Sequence, residues 1–68
     1  MSDIERKQLA SKYEQFMNIP AMWTLSFMKK SLWGKLQKIE DDGTLHIVIS
    51  RNRIILANPE TVVAVGMV

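Results

Sequence analysis

The closing segment Val62, Val63, Ala64, Val65, Gly66, Met67 and Val68 is apolar in both of its alternating sets. Successive side chains of a strand point to opposite faces, so whichever set packs inward, the other stays apolar as well. Uncharged, rich in β-branched residues and free of proline, such a segment is an aggregation hazard if left as an open edge. Two arrangements protect it: a central place in its own sheet, or pairing with another copy of the chain. The chain has 68 residues and 47% of them are hydrophobic, more than so small an interior can absorb. A domain of this size buries only roughly 60% of the surface that its unfolded chain exposes. It must still offset about 1.5 kcal/mol of ordering entropy per residue. There is no cysteine and only one histidine, so disulfides, thiolate zinc sites and multi-histidine metal sites are excluded. Assembly with copies of itself is the remaining source of stability, and intermolecular strand pairing is the favoured reading of Val62 to Val68.

The rest of the chain reads as one domain, residues 1 to 68. Ser2 and Glu5 have capping-box spacing, with the Ser2 hydroxyl set to accept from the Glu5 amide and the carboxylate to reach back to the cap amide. Leu9, Tyr13, Phe16 and Met17 recur on one helical face, and Asp3 and Lys7 stand one turn apart. The spacing predicts a helix over residues 3 to 17, stopped by Asn18 and Pro20. The period then changes to two, with Trp23, Leu25 and Phe27 on one side, and predicts a strand over 21 to 29. A second strand over 31 to 40 contains Gly34 between Leu32 and Leu36, the mark of a sharp bend. Glu40, Asp41, Asp42 and Gly43 form a hairpin turn. Strands over 44 to 51 and 53 to 57 follow, joined at Asn52, and Asn58, Pro59 and Glu60 lead into the last strand, 61 to 67. The expected fold is mainly β: an N-terminal helix on a five-stranded, strongly bent antiparallel sheet forming a small barrel.

With this order the chain resembles the Sm-like family of ring-forming RNA-binding proteins, which includes the bacterial Hfq type. Leu32, Trp33, Gly34, Lys35 and Leu36 are similar to the family's glycine-bent second strand. Asp42, Gly43, Thr44, Leu45 and His46 fit its Asp-x-x-hydrophobic-Asn spacing, with histidine in the asparagine position. The turn at Asn52 resembles its short loop between strands three and four, so the likeness spans residues 3 to 68. Leu56, Ala57 and Asn58 stand where the family carries hydrophobic-Arg-Gly or Tyr-Lys-His. The resemblance implies a homo-oligomeric ring of five to seven subunits, in which Arg53, Ile54, Ile55, Leu56 and Ala57 of one subunit pair with Val62, Val63, Ala64, Val65 and Met67 of the next. It also implies single-stranded RNA as a partner, bound non-catalytically near the pore.

Candidate RNA contacts are His46, Asn58, Arg51 and Arg53. His46 can stack on a base or hydrogen-bond its edge, or stand on the rim with no ligand. Arg51 and Arg53 can hold a phosphate by forked hydrogen bonds, or serve as solvated charges that discourage strand addition. Asn58 can contact a base or merely open the turn before Pro59. Net charge is +2, and the excess lies in residues 21 to 68, with six basic and four acidic side chains. That balance is compatible with RNA without amounting to a dense basic stripe. No catalytic residues, metal or cofactor are expected, and neither a membrane nor a small-molecule substrate. A soluble, cytoplasmic protein is expected, because no leader-like stretch and no long apolar run occurs. The alternative function is a protein-interaction or scaffold ring that has lost the RNA pocket.

Overall fold

A computed structural model describes residues 2–67, and side chains through Gly66. Val68, the final residue of the closing apolar segment, lies outside the described residues, as does the side chain of Met67. The order is α1 (Asp3–Ser11), a 3-10 turn (Glu14–Phe16), β1 (Pro20–Leu25), β2 (Leu32–Ile39), β3 (Leu45–Ile49), β4 (Arg53–Ala57), a 3-10 turn (Pro59–Thr61) and β5 (Val62–Met67). All ladders are antiparallel, in the order β4-β3-β2-β1-β5. The expected barrel is therefore not closed: among the described residues β4 and β5 are two open edges of one bent sheet.

The bend has a local cause. The first half of β2 pairs with β1, from Leu32 opposite Trp23 to Lys35 opposite Pro20, whereas its second half pairs with β3, from Lys35 opposite Val48 to Ile39 opposite Leu45. Only around Lys35 do both neighbours flank the strand, and a bulge follows between Leu36 and Lys38. Gly34 sits at the crease. A Cβ there would lie 2.8 Å from both Ile47 Cγ2 and the Val48 carbonyl oxygen.

The concave side holds the core: Trp23, Leu25, Leu36, Leu45 and Ile47 are fully buried with Ala21 and Ala57. Trp23 Nε1 donates to the Gly34 carbonyl at 3.2 Å, so the indole is satisfied without water. Tyr13 and Phe16 pack edge-on or tilted against that indole, with ring centroids 5.9 and 6.1 Å away. Ser2 caps α1 as expected, since the Glu5 amide donates to Ser2 Oγ at 3.2 Å; the Glu5 carboxylate is met by the Ser2 hydroxyl, at 3.0 Å.

Several element limits differ from the sequence reading. The helix ends at Ser11 rather than 17, because the Ser11 hydroxyl turns back to the Gln8 carbonyl and the chain tightens into the 3-10 turn. Asp3 pairs with Arg6 at 3.6 Å, not with Lys7. The first strand stops at Leu25 rather than 29, because the Met28 amide donates to the Leu25 carbonyl and folds the chain over, leaving Phe27 exposed. The second strand spans 32 to 39, the third 45 to 49 and the fifth 62 to 67, each shorter than expected: the Glu40 amide bonds the Thr44 carbonyl and the Thr61 amide the Asn58 carbonyl in turns, and residues 50 and 51 belong to the 3-10 turn Ser50–Asn52.

Candidate assembly edges and nucleic-acid site

The last strand does not alternate as expected. Thr24 faces Ala64 but Leu25 faces Val62, so Val63 is an extra residue in a bulge. Val62 and Val65 consequently both pack on the core, while Val63, Ala64 and Gly66 are exposed. A Cβ on Gly66 would meet nothing within 4 Å. On β4, Ile55 packs on the core and Ala57 is buried, whereas Ile54 and Leu56 are 51% and 58% exposed. Both open edges thus carry bare backbone beside bare apolar side chains.

The four candidate contact residues fall into two groups. At one end of the β3–β4 hairpin, Ser50, Arg51 and Asn52 form a three-residue loop, since Ile49 still faces Arg53. Arg51 and Asn52 both take left-handed conformation, with φ of 62° and 58°. Arg51 and Arg53 are exposed, and among the described residues neither makes an ion pair. Along β3, His46 stands three residues from Ile49, the partner of Arg53, roughly 10 Å at strand rise. It faces Lys38 on one side and Leu56 on the other.

His46 is not free. Glu40 Oε2 lies 3.0 Å from its Nε2, yet off the line of the ring N–H, which leaves the buried nitrogen in close contact without a directed hydrogen bond. The neighbouring groove, about 440 Å³, is lined by Lys38, Ile39, Glu40, Asp41 and Asp42. Its carboxylates would repel a phosphate drawn toward His46. The turn below is fixed by three bonds: Gly43 amide to Glu40 carbonyl, Glu40 amide to Thr44 carbonyl, and Thr44 amide to Asp42 Oδ1, each 2.9 Å. The last of these holds the Asp42 carboxyl below its ordinary value by stabilising the ionised form.

Asn58 follows β4 directly and is exposed. Its carbonyl accepts from the Thr61 amide and hydroxyl, at 3.0 and 2.6 Å, while its side-chain amide makes no capping bond. The structure therefore brings Asn58 and His46 to the same end of the sheet and sets Arg51 and Arg53 at the other. Glu40 is the residue that sequence reasoning missed, and the signal for it was the hairpin register, which carries Glu40 back toward His46. Among the described residues no cluster of three metal-ligating side chains occurs, and no helix is long and apolar enough to cross a membrane. Compared with known proteins, the chain matches no family model, no curated protein and no solved structure.

Proposed function

We propose that the chain is the subunit of an Sm-like homo-oligomeric ring, closed by β4 of each copy pairing with β5 of the next, and that the ring binds single-stranded RNA without catalysis. The observation that carries this reading is the pair of open edges. Among the described residues, β4 and β5 each have one unpaired edge, at opposite sides of the sheet, and each exposes apolar side chains next to that free backbone. An edge whose backbone can pair with another strand, and whose apolar side chains leave water when it does, favours assembly. Because the two edges differ, the contact is head to tail and closes into a ring when the rotation permits.

RNA is supported by Arg51 and Arg53. They adjoin the β4 edge, so each subunit boundary of a ring would carry two unpaired guanidiniums suited to phosphate. Asn58, exposed at the far end of the same strand, offers a base-reading amide. A second reading, a scaffold ring without RNA, draws on the Glu40 contact to His46 and the acidic groove beside it.

Light scattering or native mass spectrometry tests the ring directly: a stable monomer at micromolar concentration overturns it. Fluorescence anisotropy with short oligo-U and oligo-A at several salt concentrations then tests RNA. Binding should weaken with salt, and each phosphate contact removed by Arg51→Gln or Arg53→Gln should reduce the slope of log K against log salt by ~0.7. A ring that binds neither oligonucleotide at low salt is the scaffold.

A further inference from the structure

The β1–β2 hairpin carries an apolar tip that the fold does not use. The turn closed by the Met28 amide on the Leu25 carbonyl projects Phe27 and Met28 beyond the sheet, 55% and 37% exposed. The core behind them is already filled by Trp23 and Leu25, 0% and 1% exposed. Lys29 and Lys30 come directly after the tip, and both are exposed. From residue 15 to residue 39 there is no acidic side chain at all, against four lysines. Behind the loop, Thr24 and Ser31 join the two strands through their hydroxyls at 2.7 Å, and Trp33, opposite Met22, is 47% exposed on the outer face.

We propose that this hairpin docks the protein on anionic lipid surfaces, with Phe27 and Met28 entering the interface, Lys29 and Lys30 at the phosphate level and Trp33 in the headgroup zone. The order along the hairpin is the argument. An apolar tip followed by a cationic collar is the order of polarity met on going from the hydrocarbon edge of a bilayer out to its anionic headgroups. A nucleic acid would explain the lysines and could stack on Phe27, but it leaves Met28 at the tip without a role, since a thioether has no ring face. No acidic side chain lies on the hairpin itself, and Glu60, next to the Thr61 carbonyl that accepts from the Ser26 amide, is paired with Arg6 at 3.4 Å, which limits its repulsion of an anionic surface. This docking does not require the ring, although a ring would multiply it by presenting several tips.

The test is sedimentation of the full chain with vesicles of phosphatidylcholine alone and of phosphatidylcholine containing phosphatidylserine. Binding is expected to the phosphatidylserine vesicles at low salt, with a blue shift in emission that belongs to Trp33, because Trp23 is already buried. Phe27→Ser with Met28→Ser should weaken binding ~10-fold. Lys29→Gln and Lys30→Gln should each weaken it about fivefold. Far-UV circular dichroism checks that these surface variants keep the fold. Absence of sedimentation with phosphatidylserine vesicles, or unchanged binding by the Phe27/Met28 variant, overturns the proposal. So does loss of oligo-U binding in that variant while vesicles are ignored, which would assign the hairpin to nucleic acid. None of these outcomes bears on the ring, which is read by light scattering.

Discussion

Gly34 and Arg51 show opposite relations between a residue and its backbone. At Gly34 the space is closed, and a Cβ would press on the Val48 carbonyl oxygen, which cannot move without breaking the crease. Gly34→Ala should lower stability by about 2–3 kcal/mol, seen as a fall in Tm of ~10–20 °C; an unchanged Tm would mean that the bend does not depend on that contact. Arg51 has space but the wrong conformation, with φ of 62° where asparagine or glycine sits more easily. Arg51→Gly should therefore raise stability by roughly 0.5 kcal/mol despite the entropy of glycine. If the guanidinium serves RNA, the same variant should bind oligo-U less tightly, so stability and affinity move in opposite directions. Asp42 adds a pH dependence. Its folded carboxyl gives up its proton more readily than in the unfolded chain, so its stabilisation is complete at neutral pH. That stabilisation is lost as the pH falls through the ordinary carboxylate range, about 4, to the lowered value. Asp42→Asn should flatten the acid limb of the Tm against pH curve, and parallel curves for the two proteins would exclude this account.

Among the elements, turns were the most legible in sequence and helix length the least. Asp42 and Gly43 announce their turn because positive φ selects glycine, and Gly43 has φ of 92°. Sequence could not reveal its second constraint, the backbone of Arg6 only 2.8 Å from where a Cβ would stand, which brings α1 down on this turn. Tyr13 and Phe16 were read as one inward face, and they are inward, but the helix carrying them ends earlier. A spacing of three keeps two residues on one side at 3.6 residues per turn and at 3.0 alike, so the pattern is blind to the change. The overlong β1 has a similar origin: Phe27 continues the period of two, and nothing local records that the core is already full at Leu25. Of the candidate site, the turn arginines were legible as an exposed pair, whereas the Glu40 contact that occupies His46 depends on pairing across a hairpin. With nine residues, α1 is too short to persist alone. Arg6 ties it to the β4–β5 connection, 3.4 Å from Glu60, while also meeting Asp3. Arg6→Ala should lower stability by about 1 kcal/mol and reduce amide protection across α1 more than across β2; uniform loss of protection would show that Arg6 does not act through the helix.

For the whole molecule, the open question is how two unlike edges are covered, and the geometry separates the possibilities. If β4 met β4 of a second copy, the contact would be two-fold symmetric and would stop at a dimer; β4 meeting β5 is head to tail and continues until it closes. Ile54→Lys with Leu56→Lys places charge on the exposed side chains of β4 alone, and Val63→Lys does so on β5, in each case away from the core. In the head-to-tail arrangement each variant by itself is monomeric, since every contact needs one intact β4 and one intact β5. Mixed together, the β5 variant still offers β4 and the β4 variant still offers β5. The mixture should form a dimer and nothing larger, because the two edges left over are both spoiled. Symmetric pairing gives a different result: the Val63→Lys chain would dimerise unaided through its intact β4, and mixing would add nothing. Sedimentation velocity on the two chains, separately and in equal proportion, distinguishes the arrangements; larger assemblies in the mixture would exclude both and place the contact outside these strands.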